Sequence, residues 1–257
     1  MKSEIHMEFV NLRFSIEYEG TRYLGWQRLG EKQREKTIQG KIEQVLARLF
    51  ALNPEEISVI ASGRTDAGVH AKEQVANVHL PSGKSPQEIE EYCNQYLPED
   101  IRIFHAHFVE ELFHSRFHAK TKEYHYEISL QKPSVFHRNV TWYCPMQLDI
   151  EKMKESSQYF LGEHDFIAFS SLKKTKKSTI RRIDRIEIQE TESGLLFRFV
   201  GNGFLQNMIR ILVGTLIEVG EGKKTKEDII SIFQSKTRQK AGFLAPAKGL
   251  TLYKVYY

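Results

Sequence analysis

Along residues 9–17, Phe9, Leu12, Phe14 and Ile16 stand among polar neighbours, and this alternation predicts a strand. A glycine-punctuated loop follows over 20–28. Thr37-Ile38-Gln39-Gly40 then opens a helix to about Ala51, with Ile42, Val45, Leu46, Leu49 and Phe50 at helical spacing. The β-branched run Ile57-Ser58-Val59-Ile60 and the segment 74–80 read as strands flanking a loop of small residues. Ser85-Pro86-Gln87-Glu88 starts a second helix, with serine as cap and proline in the first turn, and Pro98 lies beyond its end. Residues 101–109 read as another strand.

After Glu110-Glu111 the pattern begins again. Tyr124, Tyr126, Ile128 and Leu130 alternate over 122–130, and Ile150, Met153, Tyr159 and Phe160 mark a helix over 149–161. Residues 182–190 and 195–200 read as a hairpin around Ser193-Gly194. A strongly apolar helix over 204–219 carries Leu205, Met208, Ile209, Leu212, Val213 and Leu216; a shorter helix over 226–233 and a strand over 250–257 follow. The strands alternate too cleanly, and are too often hairpin-linked, for a doubly wound parallel sheet. The order predicts an α+β fold of two sheet-and-helix halves with mainly antiparallel sheets, residues 1–112 and 113–257.

Composition narrows the class. At 257 residues the chain can bury a sizeable core. Its two cysteines, Cys93 and Cys144, cannot make a disulfide framework; they read as small core residues of a protein in a reducing compartment. Residues 1–7 hold no apolar signal core and no long uncharged apolar run occurs, so a cytoplasmic protein without a membrane span is expected. The net charge of +4 is modest, but its distribution is uneven. Lys173, Lys174, Lys176, Lys177, Arg181, Arg182 and Arg185 crowd together, opposed only by Asp184, and Arg28, Lys32, Arg34, Lys36 and Lys41 form a second group. Such runs serve as solvated faces or, with Tyr23 and Trp26 nearby, as phosphate-contacting surfaces.

Candidate chemistry centres on Ala61-Ser62-Gly63-Arg64-Thr65-Asp66-Ala67-Gly68-Val69-His70-Ala71. Two glycines bracket an arginine and an aspartate. The loop is either a tight turn with a structural Arg–Asp contact or a display of one catalytic carboxylate beside a cation, and residue types alone leave both open. The histidine pairs His105/His107 and His114/His118 come with no HExxH and no paired CxxC, so no metal is expected. Gly220-Glu221-Gly222-Lys223-Lys224-Thr225 lacks Walker spacing and reads as a helix stop with a charged turn.

Taken whole, the 61–71 string resembles the active-site loop of the TruA family of tRNA pseudouridine synthases, with Asp66 in the place of the catalytic aspartate. Further blocks resemble the family in order along nearly the whole chain. They are Glu17-Tyr18-Glu19-Gly20-Thr21-Arg22-Tyr23-Leu24-Gly25-Trp26-Gln27-Arg28, Phe113-His114-Ser115-Arg116-Phe117, Lys122-Glu123-Tyr124-His125-Tyr126, Gly162-Glu163-His164-Asp165-Phe166, the 203–214 block around Arg210, and Ala245-Pro246-Ala247-Lys248-Gly249-Leu250. Glu73 stands where the family commonly has glycine, and 172–178 is unusually rich in lysine for the family; both bear on substrate preference.

The resemblance implies a pseudouridine synthase fold with a central active-site cleft between its halves. It implies isomerisation of uridine to pseudouridine in the anticodon stem-loop of tRNA, at about positions 38 to 40, by a homodimer needing no cofactor. Asp66, Tyr124 and Arg210 are the implied catalytic residues. Arg64, Arg116, Tyr124, Arg28, Lys174 and Lys177 are the expected RNA contacts, with Arg64 binding phosphate or helping to extrude the target nucleotide. Taken alone, an alternating tyrosine strand reads as core, as Tyr126 is expected to be, and an arginine on an apolar helix as a snorkelling side chain. Two rival functions stand beside this one: a non-catalytic RNA-binding protein on the same fold, and a paralogous synthase with altered target uridines.

Overall fold

The computed structural model describes residues 8–173 and 176–257. They form an α+β protein in two compact units, one reaching to Ala119 and including Tyr257, the other Lys120–Tyr256. The first contains β1 (Phe9–Tyr18), α1 (Ile38–Phe50), β2 (Ile60–Ala61), β3 (His70–Pro81), α2 (Pro86–Tyr96) and β4 (Ile101–Val109). Its antiparallel sheet runs β4-β1-β3, with β2 added to β3. Register pairs Phe14 with Ala76 and Leu12 with Val78. Leu12, Phe14, Ile16, Val78 and Leu80 are buried, as are Ile38, Ile42 and Leu46 of α1 and Ile89 and Cys93 of α2. The α1 cap is Thr37, whose hydroxyl accepts from the Gly40 N–H; Ser85 and Glu88 form a capping box on α2.

The run 57–60 pairs only from Ile60, because the Val59 N–H donates to the buried Glu43 carboxylate (3.0 Å) instead of to a neighbouring strand. β3 begins at His70, four residues earlier than its alternation indicates. Segment 110–119 belongs to this unit because two buried asparagines hold it. Asn11 Nδ2 donates to the carbonyls of Glu110, Glu111 and Phe113 at 2.9–3.2 Å. Asn77 Oδ1 accepts from both the N–H and the hydroxyl of Ser115 (2.9 and 2.8 Å).

The second unit contains β5 (Thr121–Ser129), β6 (Trp142–Tyr143), α3 (Ile150–Ser157), β7 (Gly162–Asp165), β8 (Ile180–Glu190), β9 (Gly194–Gly201), α4 (Met208–Gly220), α5 (Lys226–Ser235) and β10 (Leu250–Tyr256). Its sheet runs β10-β5-β9-β8-β7, all antiparallel, and β6 joins β5 in parallel. Tyr124 faces Phe199, and Tyr126 faces Phe197, across β5 and β9. α4 is buried on nearly every side, as its composition requires. Phe160, Phe166, Phe169 and Phe233 close the core around α3 and α5, with ring centroids 4.9–6.2 Å apart.

α4 starts at Met208, not at 204, because Asn207 takes a left-handed conformation (φ 61°) that the regular helix cannot include. The helix read over 149–161 tightens into a 3₁₀ turn after Ser157. The glycine–lysine stretch at 220–225 ends α4 and caps α5 through the Thr225–Asp228 capping box. Both cysteines are buried thiols, and no helix among the described residues is long and apolar enough to cross a membrane.

Candidate active site

In the first unit, residues 62–69 span from β2 to β3 without regular structure. Along this loop Arg64 is exposed, Thr65 buried and Asp66 half-buried. The backbone is gripped from both sides. On one side, Gln74 of β3 donates to the Gly63 carbonyl (2.7 Å) and accepts from the Ser62 hydroxyl (2.6 Å). On the other, the 20–28 loop reaches across: the Trp26 N–H donates to the Thr65 carbonyl (3.0 Å) and the Gly68 N–H to the Tyr23 carbonyl (3.3 Å). Gly68 turns the chain at φ 75°.

Two hydroxyls complete the clamp. Tyr18, at the end of β1, shares a 2.7 Å hydrogen bond with Thr65, next to Asp66. Burial pushes the Tyr18 phenol well above its ordinary pKa, against smaller opposing effects of Thr65 and Gln74, so it stays a neutral hydroxyl. Tyr23 donates to Asp100 (2.6 Å), and Arg22 pairs with the same carboxylate (2.6 Å), pinning the 20–28 loop to the start of β4. His70 Nδ1 accepts from the Gly20 N–H (2.9 Å). Sequence reasoning gives no role to Tyr18, Gln74 or Asp100; a tyrosine on the buried side of β1, which needs a partner for its hydroxyl, is the available signal.

In the second unit, Tyr124 is largely buried on β5 and meets Phe204 edge-on at 5.2 Å. Tyr126, fully buried, donates to the Pro246 carbonyl (2.7 Å). Burial raises its pKa, with Arg210 opposing, so the phenol remains protonated. Arg210 is half-buried on the first turn of α4. Its Nε donates to the Ala245 carbonyl (2.6 Å) and a terminal nitrogen to Asn207 Oδ1 (2.9 Å). A snorkelling arginine would not be fixed at both ends of its planar fork. The 245–249 segment thus connects Tyr126 and Arg210, and these contacts of Asn207, Ala245 and Pro246 are ones that periodicity could not reveal.

Of the expected RNA contacts, Arg64, Arg116 and Lys177 lie exposed. Lys174 lies outside the described residues. Arg28 is only a quarter exposed and pairs with Glu43 (3.1 Å) and Glu55 (3.7 Å). Glu43 is fully buried; burial raises its pKa, while the Val59 N–H, Gln39 and Arg28 favour its charge. Glu73 is half-buried on β3. Among the described residues, no group of three or more His, Cys, Asp or Glu could hold a metal ion. His114 Nδ1 accepts from the N–H of Arg116 (3.1 Å), and His118 Nδ1 from the N–H of His114 (3.2 Å).

A family model described as tRNA pseudouridine synthase matches residues 15–118 and 157–257. A tRNA pseudouridine synthase A of Bacillus sp. (strain KSM-64) is 47% identical over 94% of this chain and 97% of its own length. A tRNA pseudouridine synthase A 2 of Bacillus anthracis is 40% identical over 96% of this chain and 99% of its own. A tRNA pseudouridine synthase A of Clostridium kluyveri is 42% identical over the same shares. With matches of this extent, the chain belongs to the tRNA pseudouridine synthase A (TruA) family, an isomerase family.

Proposed function

We propose that the chain isomerises uridine to pseudouridine in the anticodon stem-loop of tRNA, at about positions 38 to 40, with Asp66 as the reacting carboxylate. The observation that carries this reading is the clamp on residues 62–69. The loop backbone at Thr65 and Gly63 is held by Trp26 and Gln74, and the Thr65 side chain by Tyr18, while Arg64 is left exposed. A carboxylate fixed on such a frame is preorganised for attack or proton transfer.

In the reaction the N1–C1′ bond breaks, the uracil turns, and C5 bonds to C1′. C5 then loses its proton and N1 gains one, so the product is an isomer and no oxidant or group donor is needed. Ionised Asp66 serves as nucleophile toward base or ribose, or as base toward the sugar in a glycal route. Arg210 stabilises that anion. Tyr124 offers a ring face to the extruded uracil and a hydroxyl for proton transfer. Arg64 holds phosphate or occupies the space the nucleotide leaves; Arg116, Lys177 and Lys174 add backbone contacts. Arg28 joins them with its charge shared with Glu43. The acting form is a homodimer, which pools two modestly basic surfaces.

The test is pseudouridine mapping on unmodified tRNA transcripts with purified protein and with Asp66→Asn, without added cofactor. Conversion at positions 38–40 by the wild type alone supports the reading. Conversion elsewhere corrects the target. Tight tRNA binding without conversion, or activity retained in Asp66→Asn, overturns the catalytic assignment.

A further inference from the structure

In the second unit, residues 131–140 form a turn between β5 and β6 that holds the aromatic Phe136 89% exposed, with Val135 beside it 64% exposed. A solvated aromatic ring offers apolar area whose burial against a partner is favourable. Its neighbours say what kind of surface that is. Lys132, His137 and Arg138 are exposed on the same turn, and no acidic residue occurs from 131 to 140.

The turn is built rather than slack. The Ser134 hydroxyl accepts from the Phe136 N–H (3.3 Å), and the Ser134 carbonyl from the His137 N–H (3.0 Å). The Val140 N–H donates to the His137 carbonyl (3.1 Å), and Arg138 folds back to donate to the Val135 carbonyl. Lys248 Nζ donates to the Arg138 carbonyl (3.3 Å). Lys248 lies in the same 245–249 segment whose carbonyls receive Arg210 and Tyr126. The ring is therefore presented from a frame tied to the one that holds Arg210.

We propose that this turn is a nucleotide-stacking finger, in which Phe136 covers the face of an unpaired base of the substrate RNA while Lys132 contacts phosphate. A flat apolar ring within an acid-free, basic turn is the combination that single-stranded RNA recognition uses. Duplex offers no open base face, so the finger reads the unpaired part of the stem-loop. The inference rests on the tRNA reading proposed above.

The experiment compares wild type, Phe136→Ala, Phe136→Trp and Lys132→Ala on an unmodified tRNA transcript and on the same transcript with 2-aminopurine in the anticodon loop. The expected result is a KM raised about tenfold in Phe136→Ala with kcat unchanged, about the loss of one base–aromatic stack. Phe136→Trp restores the KM, and Phe136→Ala alone loses the fluorescence change on binding. Lys132→Ala lowers the salt slope of binding by about one. If the wild type converts uridine and Phe136→Ala matches it in KM and fluorescence, the finger is refuted and the function stands. If Phe136→Ala keeps RNA affinity but changes the oligomeric mass, the proposal is overturned and the turn is a protein contact. If the wild type neither binds nor converts tRNA, the functional reading itself is overturned and the finger with it.

Discussion

The Tyr18 hydroxyl lies 2.7 Å from the Thr65 hydroxyl, so the last residue of β1 holds the residue just before Asp66. Both groups are buried, and removing the Tyr18 hydroxyl takes from Thr65 its partner there. Tyr18→Phe is expected to cost about 1–2 kcal/mol of stability and to lower kcat about tenfold or more, with KM little changed, through misplacement of the carboxylate. The double variant Tyr18→Phe/Thr65→Val replaces both polar partners and recovers part of the stability without recovering kcat. Urea denaturation and steady-state kinetics on the four proteins of this cycle check it; a kcat equal to wild type would show that the clamp is purely structural.

Gly25 carries the second side of the clamp. Its φ is +98°, and a Cβ there would stand 2.6 Å from the Thr65 carbonyl oxygen and 3.0 Å from the Asp66 carbonyl carbon. Backbone cannot yield to a methyl group at that distance. Gly25→Ala is expected to destabilise by about 1–3 kcal/mol and to abolish most turnover by shifting the Asp66 backbone. Gly30→Ala is the matched control, because nothing lies within 4 Å of its Cβ and its φ is ordinary. Equal activity of the two variants would remove the 20–28 loop from any positioning role.

In the second unit, Glu123 gives a pH signature. Burial alone would raise its pKa, but hydrogen bonds from Tyr256 (2.7 Å) and His125 (2.8 Å), with the charges of His125 and Arg185, outweigh it and leave the pKa below the ordinary value. A lowered folded pKa means that the ionised form stabilises the fold above the unfolded-state value, and that this contribution is lost as pH falls through the folded value. Tyr256→Phe should therefore destabilise by about 1 kcal/mol at pH 7, and the gap to wild type should shrink as pH drops below the ordinary glutamate range. Denaturation midpoints from pH 7 down to the acid limit of folding measure it; a gap independent of pH would mean that the hydroxyl acts only by packing.

Much of this architecture was legible in the sequence, and the exceptions share a cause. Strands such as β1 and β4 and helices such as α1 and α2 followed from periodicity and caps, because one face of each is buried against a core. The Asp66 loop stood out by its residue types. The misreadings arose where one side chain redirected the backbone: Glu43 takes the Val59 N–H from any strand partner, and Asn207 delays α4 by its left-handed turn. The hydrogen-bond partners Tyr18, Gln74, Asp100 and the 245–246 carbonyls lie outside the local sequence of the groups they hold. No local period can report such contacts.

Asn207 separates stability from function most directly. Its left-handed backbone is one that glycine adopts more readily, so Asn207→Gly relieves conformational cost. The same change removes the Oδ1 that receives the Arg210 guanidinium at 2.9 Å and the amide that donates to the Ser171 hydroxyl at 2.9 Å. These effects oppose, and net stability is expected within about 1 kcal/mol of wild type. Turnover is expected to have no such compensation: Arg210 would lose the Asn207 hold on one end of its fork, and kcat should fall about tenfold or more. Asn207→Asp restores an acceptor, now charged, and tolerates the left-handed region, so it should recover the guanidinium's orientation while drawing on its charge. The expected order of kcat is therefore wild type, then Asn207→Asp, then Asn207→Gly, against nearly equal denaturation midpoints. If the glycine and aspartate variants turn over equally, Asn207 serves only to start the helix, and Arg210 is oriented without it.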